Sequence, residues 1–454
     1  MHVKRVRGLR TARAAGKMSA LQFIMIFVFY FFAAALVFLS YKSFRGGIDY
    51  LNFYKKKLAE TPSDFSPFVS IIAPCRGLDE DLEENLSALF RQDFPRYEVI
   101  FAVDSETDEA VQVIEKIIHR GDAERQRNSN KISASPRLCG ENIPAKLVVA
   151  GKAESEGQKV HNLREAVLQV ADESEVFVFV DSDARPAANW LKNLIAPLQD
   201  EKIGAATGYR WFISKKIGFA SEMRSVWNAS IASALGANRK SNFCWGGSMA
   251  IARATFEKIE MREKWRGTLS DDFAVTRTVR EAGLQIQFVP QALAVSVENC
   301  SLRELFEFTT RQMKITRVYA PDLWKMSFIG ATLFNLVWVW GIFNLVFYAP
   351  GSAAFWFSLA ALFLISAFSI GKSRLRLNAV KLVLKGYENE LKKQFWTQNT
   401  LWIFSPALFF YNSVCALFSR KINWRGLRYE LVSPSETRVT KENTTNKTLP
   451  SSDF

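Results

Sequence analysis

Residues 175–183 read EVFVFVDSD, an apolar run of Val and Phe closed by two carboxylates, Asp181 and Asp183. Short β-branched and aromatic runs bounded by polar residues are the mark of buried strands. The same grammar repeats upstream. FVSIIAP (68–74), YEVIFAVD (97–104) and KLVVAG (146–151) read as strands. LEENLSALFRQ (82–92), DEAVQVIEKIIHR (108–120) and HNLREAVLQVA (161–171) read as the amphipathic helices between them. Strand–helix alternation predicts an α/β fold, a mostly parallel sheet with helices on both faces. Ligands of such sheets sit beyond the carboxyl ends of the strands. Both acidic clusters, Asp104–Asp108 and Asp181–Asp183, fall at such ends. Residues 121–144 are polar and read as a surface insertion.

Outside this region the chain is apolar. Residues 19–41 (SALQFIMIFVFYFFAAALVFLSY) carry no charge and are long enough to cross a bilayer. A cleaved signal peptide is the alternative, but the run exceeds a usual signal core and no small-residue cleavage site follows. Three more apolar stretches occupy 327–349, 353–371 and 400–418. Basic residues on both sides of the last, Pro-containing stretch look cytosolic, so 400–418 either crosses or dips in and returns, which needs shielding by protein. The expected organisation is a basic tail at 1–18, a span at 19–41 and a catalytic domain at 42–320. A membrane region at 321–418 follows, then a basic and finally disordered tail at 419–454. Lys/Arg flank the first span on both sides, so it is not oriented by charge. The seven basic residues of 372–393 and the basic start of the tail predict that the catalytic domain faces the cytosol. The net charge of +14 clusters beside the apolar runs, which points to an anionic membrane face and away from nucleic acid. The five cysteines are scattered without a CxxC, so neither a disulfide framework nor a zinc site is expected.

Four motifs carry chemistry. A strand puts residues i and i+2 on one face, so Asp181 and Asp183 repel unless a cation lies between them. Hard oxygen ligands suit Mg²⁺ or Mn²⁺, with diphosphate oxygens completing the shell. The alternative is a solvated strand end. Asp271-Asp272, in TLSDDFAVTRTVREAG, offers a carboxylate whose pKa a neighbouring acid or burial would raise, as a general base requires. The alternative is a helix N-cap at Ser270 or Asp271. In WGGSMAIARATFEKI (245–259), Gly246 and Gly247 permit close backbone approach to a ligand, or form an ordinary turn. In RQMKITR (311–317), Arg311, Lys314 and Arg317 share a helical face, to neutralise a diphosphate or to flank a membrane. The amphipathic stretch 226–240 either guides a lipid or packs.

In order, these blocks resemble the ceramide glucosyltransferase family of inverting, GT-A-type enzymes. APCRGLDEDLEENLSALFRQDFPRYEVIFAVDSETDEA is similar to the family's first strand, helix and nucleotide-binding strand end. QKVHNL matches its Lys-x-x-Asn-Leu segment, and VDSDARP, WGGSMAIAR and LSDDF match its later blocks. INWRGLRYEL resembles its ending. The resemblance implies a GT-A-like domain that transfers a hexose, glucose first, from a UDP-sugar to the hydroxyl of a membrane lipid such as ceramide. It puts Pro74, Arg76, Asp104, Ser105, Asp108, Lys159, Asn162 and Gly247 at the nucleotide-sugar. Asp181 and Asp183 would hold the metal, Asp272 would be the base with Asp271 beside it, and Arg311 and Lys314 would meet the diphosphate. One motif departs. The family's Gln/Arg-x-x-Arg-Trp is here Arg311-Gln-Met-Lys314-Ile315. Loss of the Trp argues against the rival reading, a processive polysaccharide synthase. The retained acids argue against an inactive scaffold.

Overall fold

The computed structural model describes residues 20–61, 63–129 and 143–440. Its strands are β1 (Val69–Pro74), β2 (Tyr97–Val103), β3 (Ala145–Val149), β4 (Val176–Phe179), β5 (Ile203–Thr207), β6 (Arg210–Ile213), β7 (Met249–Ala252), β8 (Gln285–Phe288) and β9 (Ala294–Val297). Among the described residues a seven-stranded sheet runs in the order β3-β2-β1-β4-β7-β5-β8. Strands β1 to β4 are parallel, with Val69 opposite both Tyr97 and Val176. β7 alone runs antiparallel to its neighbours, β4 and β5. β6 and β9 pair as a separate parallel ribbon. Every residue of β1, β2 and β4 is buried, which is why these strands read as near-continuous apolar runs. The expected mostly parallel sheet with flanking helices is what the chain builds.

The first helix, α1 (Ala20–Ala59), covers the expected span and continues beyond it for a further 18 residues. α2 (Leu82–Ser87) tightens into a 3₁₀ turn through Arg91. α3 (Ala110–Ser129) extends into the stretch 121–144 read as an insertion, of which 130–142, with Cys139, lies outside the described residues. α4 (Gln158–Ala166) starts three residues earlier than its pattern suggests, which puts Lys159 in its first turn. β4 stops at Phe179, so Asp181 and Asp183 stand in the turn beyond it, closed by the Ala184 amide on the Asp181 carbonyl (3.1 Å). The same-face argument for the two acids therefore fails, although their proximity holds.

Further on come α5 (Trp190–Ile195), α6 (Phe219–Ala232), α7 (Arg253–Lys258), α8 (Met261–Lys264), α9 (Asp271–Glu281) and α10 (Leu302–Tyr319). α6 covers the start of 226–240, and its buried Trp227 packs on Leu305 and Leu408. α11 (Pro321–Phe347) and α12 (Ala353–Val383) join α1 as the three helices, among the described residues, long and apolar enough to cross a membrane. α13 (Glu388–Thr400) leads through a short 3₁₀ turn into α14 (Ser405–Phe418), and this pair bends by 58°. The bend falls inside 400–418, the stretch expected to cross or to dip in and return. α1 crosses α12 closely because Gly371 meets Phe44 where a Cβ would clash, at 2.7 Å.

The expected tail is the largest correction. β10 (Lys421–Trp424), β11 (Leu427–Ser433) and β12 (Glu436–Thr440) form an antiparallel sheet. Tyr429 and Leu431 alternate onto one face and bury with Ile422 against Leu269 and Ile315. Arg425 (φ 48°) and Gly426 (φ 79°) make the connecting turn in left-handed conformations. Residues 441–454 lie outside the described chain.

Candidate active site

A cavity of about 490 Å³ opens beyond the carboxyl ends of β1 and β4. Its floor is an ion cluster. Lys159 Nζ lies 2.7 Å from Asp181 Oδ1 and 3.0 Å from Asp271 Oδ1. Arg210, first residue of β6, reaches Asp181 Oδ2 at 3.1 Å and Asp183 Oδ2 at 3.0 Å. Its guanidinium lies over the Trp245 ring at 4.9 Å. The like charges of Asp181 and Asp183 are thus already bridged by an arginine that the sequence did not mark. Burial alone would favour protonated Asp181, but Lys159 and Arg210 outweigh it and hold its pKa below the usual carboxylate range. For Asp271 burial wins over Lys159, helped by the neighbouring Asp272 and Asp181 charges, and its pKa rises to about 6.

Gly246 and Gly247 do not line the cavity. A Cβ on Gly246 would sit 2.0 Å from Asp271 Oδ2, and one on Gly247 2.7 Å from Asp181 Oδ2. The pair makes room for the two carboxylates, not for the ligand directly. Asp272 lies in the first turn of α9 on the cavity wall. Its Oδ1 accepts from Ser270 Oγ (2.5 Å) and from the Phe273 amide (2.7 Å). Ser270 occupies the N-cap position but its side chain makes no cap bond; its hydroxyl donates to Asp272 instead.

The metal expectation meets a specific donor set. Among the described residues no three His, Cys, Asp or Glu side chains gather to hold an ion. Asp183 Oδ1, however, is buried with no hydrogen-bond partner. A carboxylate oxygen with phosphate and water oxygens is the set Mg²⁺ accepts, so the residues fit a cation that arrives with a diphosphate.

Pro74, Arg76 and Asn162 also line the cavity, with Gln158 bonded to Asn162 Oδ1 at 2.8 Å. Asp104, Ser105 and Asp108 do not line it. Asp104 is buried behind Arg76 as its ion-pair partner. Asp108 Oδ1 accepts the Gly77 and Ala110 amides, both at 2.8 Å, so it pins the 75–79 loop to the start of α3. Ser105 bonds Thr107 (2.8 Å). Asp104 and Asp108 act on the cavity through the 75–79 loop they hold, and Ser105 touches neither the loop nor the cavity.

Arg311 lines the cavity between the rings of Phe308 (5.6 Å) and Trp424 (5.2 Å). Lys314 does not: its Nζ donates to the Lys421 carbonyl at 2.8 Å, and the cavity is lined instead by Gln312 and Ile315. Arg317 caps the carboxyl end of α14 through the Ala416 and Leu417 carbonyls. Residues not anticipated at the cavity include Asp79, Arg210, Arg224, Glu298, Trp424 and Arg425. The last two sat in the quoted INWRGLRYEL block, and only its alternation pointed to a strand pair.

The profile of glycosyl transferase family 21 matches residues 27–124 and 141–436. The chain belongs to glycosyl transferase family 21. This family-21 chain is 27% identical over 162 residues to ceramide glucosyltransferase 3 of Caenorhabditis elegans, 35% of this chain and 29% of that protein. It is 35% identical over 68 residues to a ceramide glucosyltransferase of Komagataella phaffii, 15% of this chain and 13% of that one. The chain thus spans less than a third of the length of these curated relatives. The expected kinship with ceramide glucosyltransferases is borne out. The mannosyltransferase PcManGT of Pyrobaculum calidifontis, solved with GDP-Man and Mn²⁺, superposes at a TM-score of 0.42 with 18% identity, over 86% of this chain and 99% of that one.

Proposed function

We propose that this family-21 protein is an inverting, GT-A-type membrane glycosyltransferase that moves a hexose, glucose first, from a UDP-sugar to the hydroxyl of a membrane lipid such as ceramide. The observation that carries the reading is a single cavity holding the partly exposed Asp272 carboxylate together with Lys159, Arg210 and Arg311. Transfer needs both a base and preorganised positive charge. Asp272 takes the proton of the acceptor hydroxyl. The acceptor oxygen forms its bond to the anomeric carbon from the face opposite the diphosphate. The carbon–oxygen bond to the diphosphate breaks, and its electron pair leaves on the β-phosphate oxygen. Arg311 meets that charge. Lys159 fixes Asp181 and Asp271 so that the floor does not repel the donor. A Mg²⁺ or Mn²⁺ at Asp183, backed by Asp181, would supply Lewis-acid stabilisation of the departing diphosphate. The basic 372–393 segment supports a catalytic domain on the cytosolic side of a multi-pass protein.

The test is transfer from labelled UDP-glucose to ceramide by the purified protein in lipid nanodiscs. Asp272→Asn is expected to lower the rate by about 10²–10⁴-fold while UDP binding persists. Full-rate transfer by that variant removes the base assignment. Failure of the unmutated protein to bind any UDP-sugar with Mg²⁺ or Mn²⁺ removes the reading. Mass spectrometry of membrane lipids with and without active protein identifies sugar and acceptor together.

A further inference from the structure

Of the two cations expected to meet the diphosphate, one is turned away from the cavity, and an arginine that was not expected lines it. Lys314 is turned onto the Lys421 carbonyl. Arg311 forms no ion pair among the described residues, and its Nε is buried without a hydrogen-bond partner. Arg311 is half-buried, with its Nε sealed off between the two rings, and a guanidinium so placed without a counter-anion can take an anion that enters the cavity. Burial, then the charge of nearby Arg425, pushes Arg311 down to about 10.

Arg425 arrives from the turn between β10 and β11. One third of its side chain is exposed, and it lines the same cavity. It pairs with Asp79 at 2.5 Å and donates to the Arg76 carbonyl, while Arg76 Nε returns a bond to the Arg425 carbonyl at 3.1 Å. Its backbone is left-handed at φ 48°, a conformation that a non-glycine residue keeps only when its surroundings enforce it. The preceding residue, Trp424, covers Arg311. The same small sheet is anchored where the nucleotide end begins, through Tyr429 Oη accepting the Gln158 amide at 3.2 Å. The turn therefore brings an arginine and an aromatic ring to the spot where Lys314 and Ile315 bring neither.

We propose that Arg425 is the second diphosphate-binding cation of this enzyme, working beside Arg311, and that Asp79 holds it at the cavity until the donor's phosphates arrive. This rests on the UDP-sugar reading above. Lys and Arg are not equivalent at such a contact, since only the guanidinium fork grips two phosphate oxygens at once.

Binding of UDP and of uridine to the full-length protein by calorimetry tests it. Arg425→Ala is expected to weaken UDP by about tenfold or more and to leave uridine unchanged. Arg425→Lys recovers part of the loss. Lys314→Ala changes UDP affinity by less than about twofold. Equal loss of UDP and uridine in Arg425→Ala would mean a collapsed turn, and overturns the proposal. So does a variant that binds UDP as tightly as the unmutated protein, or a large loss in Lys314→Ala. Absence of UDP binding by the unmutated protein instead overturns the function reading on which this rests.

Discussion

Glu298 shows how one side chain couples the cavity to pH. It follows β9, pairs with Arg224 at 3.1 Å and lines the cavity with a quarter of its side chain exposed. Burial raises it from an ordinary 4.5 to about 7, against the pull of Arg224. The folded protein therefore binds this proton more tightly than the unfolded chain does. Its contribution to stability is complete below pH 4.5 and is lost as the pH climbs through about 7. A shift of this size is worth at most about 3 kcal/mol, less what partial exposure removes. Glu298→Gln does not titrate. Its melting temperature relative to the unmutated protein is expected to move in the variant's favour between pH 5 and pH 8. Parallel pH profiles for the two proteins would show that Glu298 does not titrate in this window.

At the scale of elements, the turn before β7 sets the spacing of the floor. Gly246→Ala drives a methyl into Asp271 Oδ2 and toward Lys159 Nζ, 2.8 Å from the new Cβ. Both are buried in an ion cluster with little freedom to retreat. We expect a loss of about 1–3 kcal/mol, read as a lower melting temperature, together with weaker UDP binding. Gly236→Ala, with nothing within 4 Å, is the matched control and should melt unchanged. Strands β1, β2 and β4 were legible because burial on both faces leaves an unbroken apolar run; β3, a half-exposed edge strand, was legible from its Leu-Val-Val alone. The end of β4 was less so: Phe179, Val180 and Asp181 follow one another without a break in pattern, and the turn is fixed by the Ala184 amide. Coulomb repulsion predicts either a cation beside Asp181 and Asp183 or a solvated strand end, yet nothing in GYRWF distinguishes Arg210 from any other arginine. A metal was named where a side chain stands, and Asp183 Oδ1 is what leaves room for both. The sheet at 421–440 was misread because its charge was weighed before its alternation. Tyr429 and Leu431 carry the period of two that marks a strand.

At the scale of the whole molecule, membrane and catalytic parts share helices. The upper part of α1 packs Phe29, Ala33 and Leu36 against Val337, Ala361 and Ile365. Its lower part buries Tyr50, Phe53 and Tyr54 against Trp211, Phe288 and Leu377. At about 1.5–3 kcal/mol per large apolar side chain buried, that lower contact resists bending of the stalk. α10, which carries Arg311, leads directly into α11 at Pro321.

A helix of 40 residues is about 60 Å long, roughly twice the hydrocarbon thickness of a bilayer. α1 therefore works as a ruler. On the function proposed above, one end of α1 sits among lipid tails while the other packs on the catalytic domain, and the helix then fixes the altitude of Asp272 above the acyl chains. An acceptor whose hydroxyl stands too low or too high misses the base however well it binds. Reconstituted in bilayers graded from short to long acyl chains, the protein should transfer sugar fastest at one thickness. UDP binding should stay level across the series. A flat rate profile would show that the stalk yields to the membrane.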